Sequence, residues 1–219
     1  SFNRILISRI NFPEPFERGI SRFIEKDKLL PFEEAKLYGH NATHALGGYL
    51  GSLLGLYFMA DLKDIPGFVD FLRQAFIEES GNALIQKYPN IDPLFTPNGY
   101  RIYVDDLLQR MMNPFLLDRI ERVTRDPARK LGWNDRLIGT MRLALEHGLQ
   151  PKRYALGAAA ALTVLNGYQY SSNLLEELWQ PAEPDPAQCA LVIGLIEEAW
   201  KTLSSWKFSK FPNLETHYR

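Results

Sequence analysis

Four residues in one short stretch carry groups suited to moving a proton: Lys36, His40, Asn41 and His44. An ideal α-helix turns about 100° per residue, so with Lys36 at zero, His40, His44 and Asn41 fall at roughly 40°, 80° and 140°. All four are expected to look out over one side of a single helix. A lysine ordinarily titrates near about 10.4. Lys36 is expected one turn inside a helix N-terminus, where the positive end of the helix dipole disfavours an ammonium. Burial, and a positive charge on His40 or His44, would act in the same direction. A lysine tuned this way is a general base near neutral pH, suited to taking the hydroxyl proton of an alcohol while hydride leaves the same carbon. The amide N–H of Asn41 suits the developing alkoxide. His44 suits a neighbouring hydroxyl, and His40 is assigned to the substrate as well.

The same residues have plainer readings. A Lys-x4-Asn-x2-His pattern standing alone is most often a solvated helix face. His40 and His44, at i and i+4, are spaced to bind a metal, but no acidic third ligand follows in a zincin pattern, so no metal is expected. A second cluster lies at 119–136, where Arg119, Arg122, Arg125, Arg129, Lys130 and Arg136 face Glu121, Asp126 and Asp135, six positive side chains against three negative. Some of these form a salt-bridged surface. Arginine forks also suit phosphate, and Arg129 and Lys130 are the residues expected to hold a phosphate or terminal hydroxyls. Asp126 and Asp135 are expected to orient the arginines or to cap helices.

The elements that must position these groups are mostly helices. Residues 33–60 form the central one, and Pro31, Glu33 and Glu34 suit its first turn. Gly47, Gly51 and Gly55 lie four apart and predict a smooth stripe for a second helix to approach. Residues 1–14 read as a strand or extended connector, and Phe16, Ile20, Phe23 and Ile24 predict an amphipathic helix over 15–29. Further helices are expected at 66–88, 101–112, 114–124 (capped by Asn113), 135–147 (stopped by Gly148), 151–166, 171–179 and 188–205. Residues 89–99, 125–134 and 180–188 read as connectors. No strand ladder is expected after residue 14.

At 219 residues the chain is long enough for a substantial core. A net charge of −1 argues against a dedicated nucleic-acid binder. The single cysteine, Cys189, cannot form an internal disulfide and fits a reducing compartment. No signal segment is visible. The uncharged run Ala45–Ala60 has 16 residues, short of the ~18–20 that span a bilayer. The expected setting is cytoplasmic, with neither membrane nor nucleic acid as partner.

Lys36-x4-Asn41-x2-His44 resembles the active-site signature of the mannitol dehydrogenase family, the polyol-specific long-chain dehydrogenases. The block NPFLLDRIERVTRDPARKLGWNDRLIG (113–139) is similar to a segment around an RDPxRKL motif in members that act on mannitol 1-phosphate. EESGNALIQKYP (78–89) and the Ala-rich 155–162 are similar too, so the likeness covers most of residues 30–165. It implies a catalytic base at Lys36, an alkoxide or hydroxyl ligand at Asn41, a substrate ligand at His44, and a place for Arg129 and Lys130 near the substrate. The fold class it implies is all-α, a multi-helix domain with at most a short N-terminal strand. This corresponds to the C-terminal domain of a 6-phosphogluconate-dehydrogenase-like two-domain enzyme. Residues 1–14 would then be a connector from an N-terminal Rossmann domain, and 15–219 the substrate and catalytic domain. NAD is the implied cofactor, bound mainly by that Rossmann domain. This sequence contains no GxGxxG, so the chain by itself is expected to bind NAD poorly and to be inactive. The implied substrate is a sugar-alcohol phosphate. A free polyol or a hexuronate is the alternative within the family, and a non-catalytic helical interaction module the alternative outside it.

Overall fold

The computed structural model describes residues 5–11, 13–14 and 19–214. Helices dominate, and the longest early rod is built in three pieces. Helix α1 (Leu30–Glu34) runs into a π-helical segment, Ala35–Asn41, which continues as α2 (Ala42–Leu53). Pro31 sits in the first turn with Glu33 beside it, where a missing N–H and a negative charge cost least. Glu34 ties this start to a later helix, accepting hydrogen bonds from Lys87 Nζ and Tyr88 Oη, each at 2.7 Å.

A second rod repeats the pattern: α3 (Phe68–Gln74), a π-helical segment Ala75–Gly81, and α4 (Asn82–Lys87). The two π segments pack together through glycines. A Cβ on Gly39 would lie 2.6 Å from both Phe76 Cε2 and Tyr100 Oη, and one on Gly81 would lie 2.6 Å from Tyr100 Cε1. Phe76 and Tyr100 are buried and meet edge to face at 5.8 Å. A hydroxyl serves one carbonyl of each segment: Thr140 Oγ1 donates to Tyr38 O at 3.0 Å, and Ser80 Oγ to Phe76 O at 3.1 Å.

The other elements close around these rods. Helix α5 (Pro97–Met111) begins at a Thr96 cap whose Oγ1 accepts from Gly99 N. After α6 (Ile120–Thr124) and the single turn α7 (Pro127–Lys130) come α8 (Ile138–Glu146) and α9 (Lys152–Leu165). Then α10 (Ser172–Trp179) and α11 (Pro186–Ser205) complete the chain of helices. Helix α9 is buried on every side from Arg153 to Thr163, as its small apolar residues require, and lies between α2 and α11. Its Gly157 sits against Leu46 of α2. The α2 stripe does what its glycines predict at two positions. Gly47 meets Leu62, Leu72 and Met59, and Gly51 meets Ile120 and Leu62, while the adjacent Gly48 faces Val123 at 2.5 Å from an added Cβ. Gly55 instead leaves the helix with φ +71° and nothing against it.

Three expectations are corrected. The helix anticipated over 15–29 is not formed at its C-terminal end: β2 (Phe23–Lys26) pairs in parallel with β1 (Ile5–Ser8), Ile5 opposite Phe23 and Ser8 opposite Lys26. Residues 15–18 lie outside the described residues. A helical spacing of apolar residues was matched there by chance, and pairing with a remote strand decided the outcome. The single helix expected over 114–124 is broken, because Leu117 takes a left-handed φ of +47° and Arg119 bridges antiparallel to Phe58. The central helix ends at Leu53 rather than near 60, and Met59–Asp64 is a separate 3-10 helix.

Gly39→Ala tests the contact between the two π segments. A new methyl against two buried rings is expected to lower stability by about 1–3 kcal/mol, read as a shift in the urea midpoint. An unchanged midpoint would show that the segments do not approach this closely.

Candidate functional site

A cleft of about 960 Å³ opens where α1 and the first π segment face α5 and the small sheet. Its walls carry Glu33, Lys36 and His40 from the rod, Asp92 and Leu94 from the loop before α5, Ile102, Tyr103 and Asp106 from α5, and Ile5, Leu6, Ile24 and Lys26 from the sheet. Lys36 is exposed, so the burial expected of it is not observed. It lies nearly two turns inside the rod that starts at Leu30 rather than one, and His40 is half-buried one turn further in. The lining also holds a Lys26–Asp92 ion pair, with Lys26 Nζ 4.7 Å from the centre of the Phe32 ring. Burial alone would raise the Asp92 carboxyl, but hydrogen bonds from Lys26 and from Leu94 N outweigh it and hold the group below its ordinary value.

His40 is the most perturbed group on the wall. Its pKa falls from 6.5 to about 4, first because burial penalises the charged ring, then because His44, Arg110 and Lys36 add positive charge around it. Its ring centre lies 6.1 Å from that of His44. His40 is therefore a neutral imidazole across the physiological range, able to accept or donate one hydrogen bond.

Asn41 and His44 continue along the same rod but are not among the residues lining the cleft. Both are half-buried. His44 Nε2 lies 2.8 Å from Asp118 Oδ2, and Arg122 Nε donates to Asp118 Oδ1 at 3.0 Å. The hydrogen bond from His44 is the largest influence on Asp118 and, with that from Arg122, holds its carboxyl below the ordinary value against the opposing effect of burial. Thr43, between Asn41 and His44, is fully buried and hydrogen-bonded to Tyr154 Oη at 2.8 Å. Tyr154 in turn meets Ser80 Oγ at 3.1 Å. This hydroxyl chain ties α2 to α9 and to the second π segment. Glu79 lies at its other end, accepting from Arg153 N at 2.9 Å and Tyr154 N at 3.1 Å at the start of α9. Burial pushes the Glu79 carboxyl up to about 7, and those two backbone N–H bonds work against the rise.

The second cluster does not converge on the cleft. Lys130 is 4% exposed. Its ammonium donates to the Arg125 carbonyl and lies 5.9 Å from the centre of the Tyr49 ring. Desolvation, then the charges of Arg136 and Arg129, push it down to about 8. In this arrangement Lys130 closes the α7 turn onto α2 instead of presenting its charge outward. Arg129 is exposed and paired with Asp126 at 3.1 Å. Asp135 takes up Arg136, with Nε at 2.8 Å, as expected of a residue that orients an arginine.

Sequence reading passed over Asp118, Tyr103 and Asp106, which the fold brings to His44 or to the cleft wall. Asp118 and Arg122 are an i, i+4 pair, a signal visible in sequence but one shared by many surface helices. Among the described residues no group of three or more His, Cys, Asp or Glu converges as a metal site would, and no helix is long and apolar enough to cross a membrane.

A helical fold of this kind has relatives. Residues 28–188 match the mannitol dehydrogenase C-terminal domain, and the chain belongs to that family. It is 37% identical over 135 residues to mannitol-1-phosphate 5-dehydrogenase of Halalkalibacterium halodurans, a match covering 62% of this chain and 34% of that protein. Among solved structures it resembles Pseudomonas fluorescens mannitol 2-dehydrogenase in ternary complex with NAD and D-mannitol. The TM-score is 0.65 at 21% identity, over 90% of this chain and 42% of that one. A D-sorbitol dehydrogenase in substrate-free form matches with TM-score 0.55 and 18% identity, over 89% of this chain and 40% of that one. The chain thus aligns with about a third of the curated relative's length, and the structural likenesses define the fold.

The depressed pKa of His40 makes a stability prediction. Between 6.5 and about 4 the unfolded chain binds a proton that the folded chain refuses. Stability contributed by neutral His40 is therefore complete above pH 6.5 and declines as pH falls towards 4. NMR titration should show the His40 ring still neutral at pH 5, and His40→Leu should flatten stability over that interval. A ring that titrates near 6.5 would contradict the buried, cation-flanked setting described for it.

Proposed function

We propose that this chain is the substrate-binding and proton-transferring part of an NAD-dependent polyol dehydrogenase. The proposed reaction interconverts a sugar-alcohol phosphate and a ketose phosphate, with mannitol 1-phosphate and fructose 6-phosphate as the first pair to examine. The observation that carries this reading is the position of Lys36, exposed on the wall of a cleft of about 960 Å³. It stands on the same rod as Asn41 and His44, inside the segment matched to the family. A cleft of that size is ordinary for a small-molecule ligand.

The assigned roles follow from the chemistry of each side chain. Lys36 takes the proton from the reacting hydroxyl in oxidation and returns it to the carbonyl oxygen in reduction. Asn41 donates its amide N–H to that oxygen as charge develops. His44 holds an adjacent hydroxyl, and neutral His40 takes a further hydroxyl at the inner end of the cleft. Arg129, exposed but not among the residues lining the cleft, is the cation proposed for the phosphate, and Lys130, turned inward to the Arg125 carbonyl, is not assigned to the ligand. The described residues form no glycine-rich turn between a strand and a helix, the cradle a dinucleotide needs. NAD is accordingly assigned to a Rossmann domain acting together with this one. It supplies the hydride acceptor when bound.

A second reading within the family takes a free polyol as substrate. It is favoured by the carboxylates of Glu33, Asp92 and Asp106 on the cleft wall, which suit hydroxyl groups better than a phosphate.

Assay of the full-length protein with NAD separates these readings. A phosphorylated polyol should be oxidised with the higher kcat/KM, and equal or better use of the free polyol would move the assignment to the second reading. Lys36→Ala should lower kcat by roughly 10²- to 10⁴-fold, the usual scale for loss of a general base. A variant that keeps activity within a factor of about three would remove Lys36 from the chemistry.

A further inference from the structure

The contact between His44 and Asp118 defines more than a salt bridge. Asp118 is held at three points: its backbone carbonyl accepts from Met59 N at 2.9 Å, Oδ1 accepts from Arg122 Nε at 3.0 Å, and Oδ2 faces His44 Nε2 at 2.8 Å. The segment that presents it is fixed as well, because Arg119 bridges to Phe58 and Ile120 N donates to Tyr57 O at 2.9 Å. Its side chain is 14% exposed, that of His44 20%. An ionised carboxylate only accepts hydrogen bonds, so the ring nitrogen facing it must carry a hydrogen. In a neutral imidazole that leaves Nδ1 as the acceptor.

We propose that Asp118 is a positioning residue that locks His44 in the Nε2–H tautomer, so that the ring offers its substrate a hydrogen-bond acceptor at Nδ1. Resting on the dehydrogenase reading above, this assigns His44 a specific partner: a hydroxyl that donates, such as the one beside the reacting carbon of a polyol. A carbonyl at that place has no hydrogen to give and is held less well. Asp118 therefore contributes to recognition of a vicinal diol or hydroxyketone without touching the substrate itself. Arg122 fixes the second carboxylate oxygen and so prevents the carboxylate from rotating away.

The tautomer can be read directly on the chain described here. Ring nitrogen shifts of ¹⁵N-labelled protein near about pH 8, where an ordinary imidazole is neutral, should show His44 as the Nε2–H form, and Asp118→Ala should convert it to a mixture. Asp118→Glu should restore the single form at least in part. If Asp118→Ala fails to fold, judged by circular dichroism, Asp118→Asn serves instead, since a neutral amide can also donate to Nε2 and so release the tautomer. In the full-length enzyme Asp118→Ala should raise KM for the polyol roughly tenfold or more, with the smaller change in kcat, on the scale of losing a residue that orients a ligand-bearing histidine. A His44 ring that stays Nε2–H in Asp118→Ala, or one that is Nδ1–H in the wild type, overturns the proposal. Tautomer release in a full-length protein that oxidises no polyol would support the positioning role and count against the dehydrogenase reading alone.

Discussion

The rod that carries the proposed site widens to a π-helix over Ala35–Asn41. Lys36 and Asn41 are five positions apart. In a regular α-helix they diverge around the axis by roughly 140°, whereas a π-helical turn, with its i to i+5 hydrogen bond, returns residues five apart towards the same side. Within that turn Gly39 lets Phe76, from a second π turn at Ala75–Gly81, and Tyr100 of α5 approach the backbone. The two irregular turns thus pack against each other through Gly39 and Gly81, with Phe76 and Tyr100 between them.

Behind this pair lies a buried network of hydrogen-bonded side chains. Thr43, Tyr154 and Ser80 form a chain of hydroxyls across three elements, and Glu79 receives the start of α9. Burying these groups without partners would cost more than their hydrogen bonds return, so the network specifies one arrangement of α2, α9 and the second π segment. Asn41 and His44 flank Thr43, and their placement inherits that specificity. The cleft wall is different in kind, with exposed Lys36 beside neutral His40 and several carboxylates, a surface suited to a ligand rich in hydroxyls.

Much of the helical architecture was legible because it is written in local chemistry. Asn113 accepts from Phe115 N, Ser171 from Leu174 N, and Gly148 adopts φ +72° where the helix stops. The small residues of 151–166 can only be buried on all sides, and they are. The sheet was not legible, since Phe23–Lys26 shows an apolar spacing compatible with a helix and becomes a strand only through a partner about 18 residues away. The break at Leu117, with its left-handed backbone, was hidden for a similar reason, since the segment just after it bridges from Arg119 to the remote Phe58.

The sequence by itself determined which chemical groups share the central rod: the spacing of Lys36, His40, Asn41 and His44 is a covalent fact, and so is the run of glycines that follows. Tertiary structure decided how those groups face. It inserted the wider turn, depressed His40 chiefly by burying it, and brought Asp118 to His44 across 74 residues of chain. It also turned Lys130 inward to a carbonyl while leaving Arg129 outside. Residue types and spacings are local, but a hydrogen-bond partner, a desolvated ring and the direction of a long side chain depend on atoms that folding brings from elsewhere.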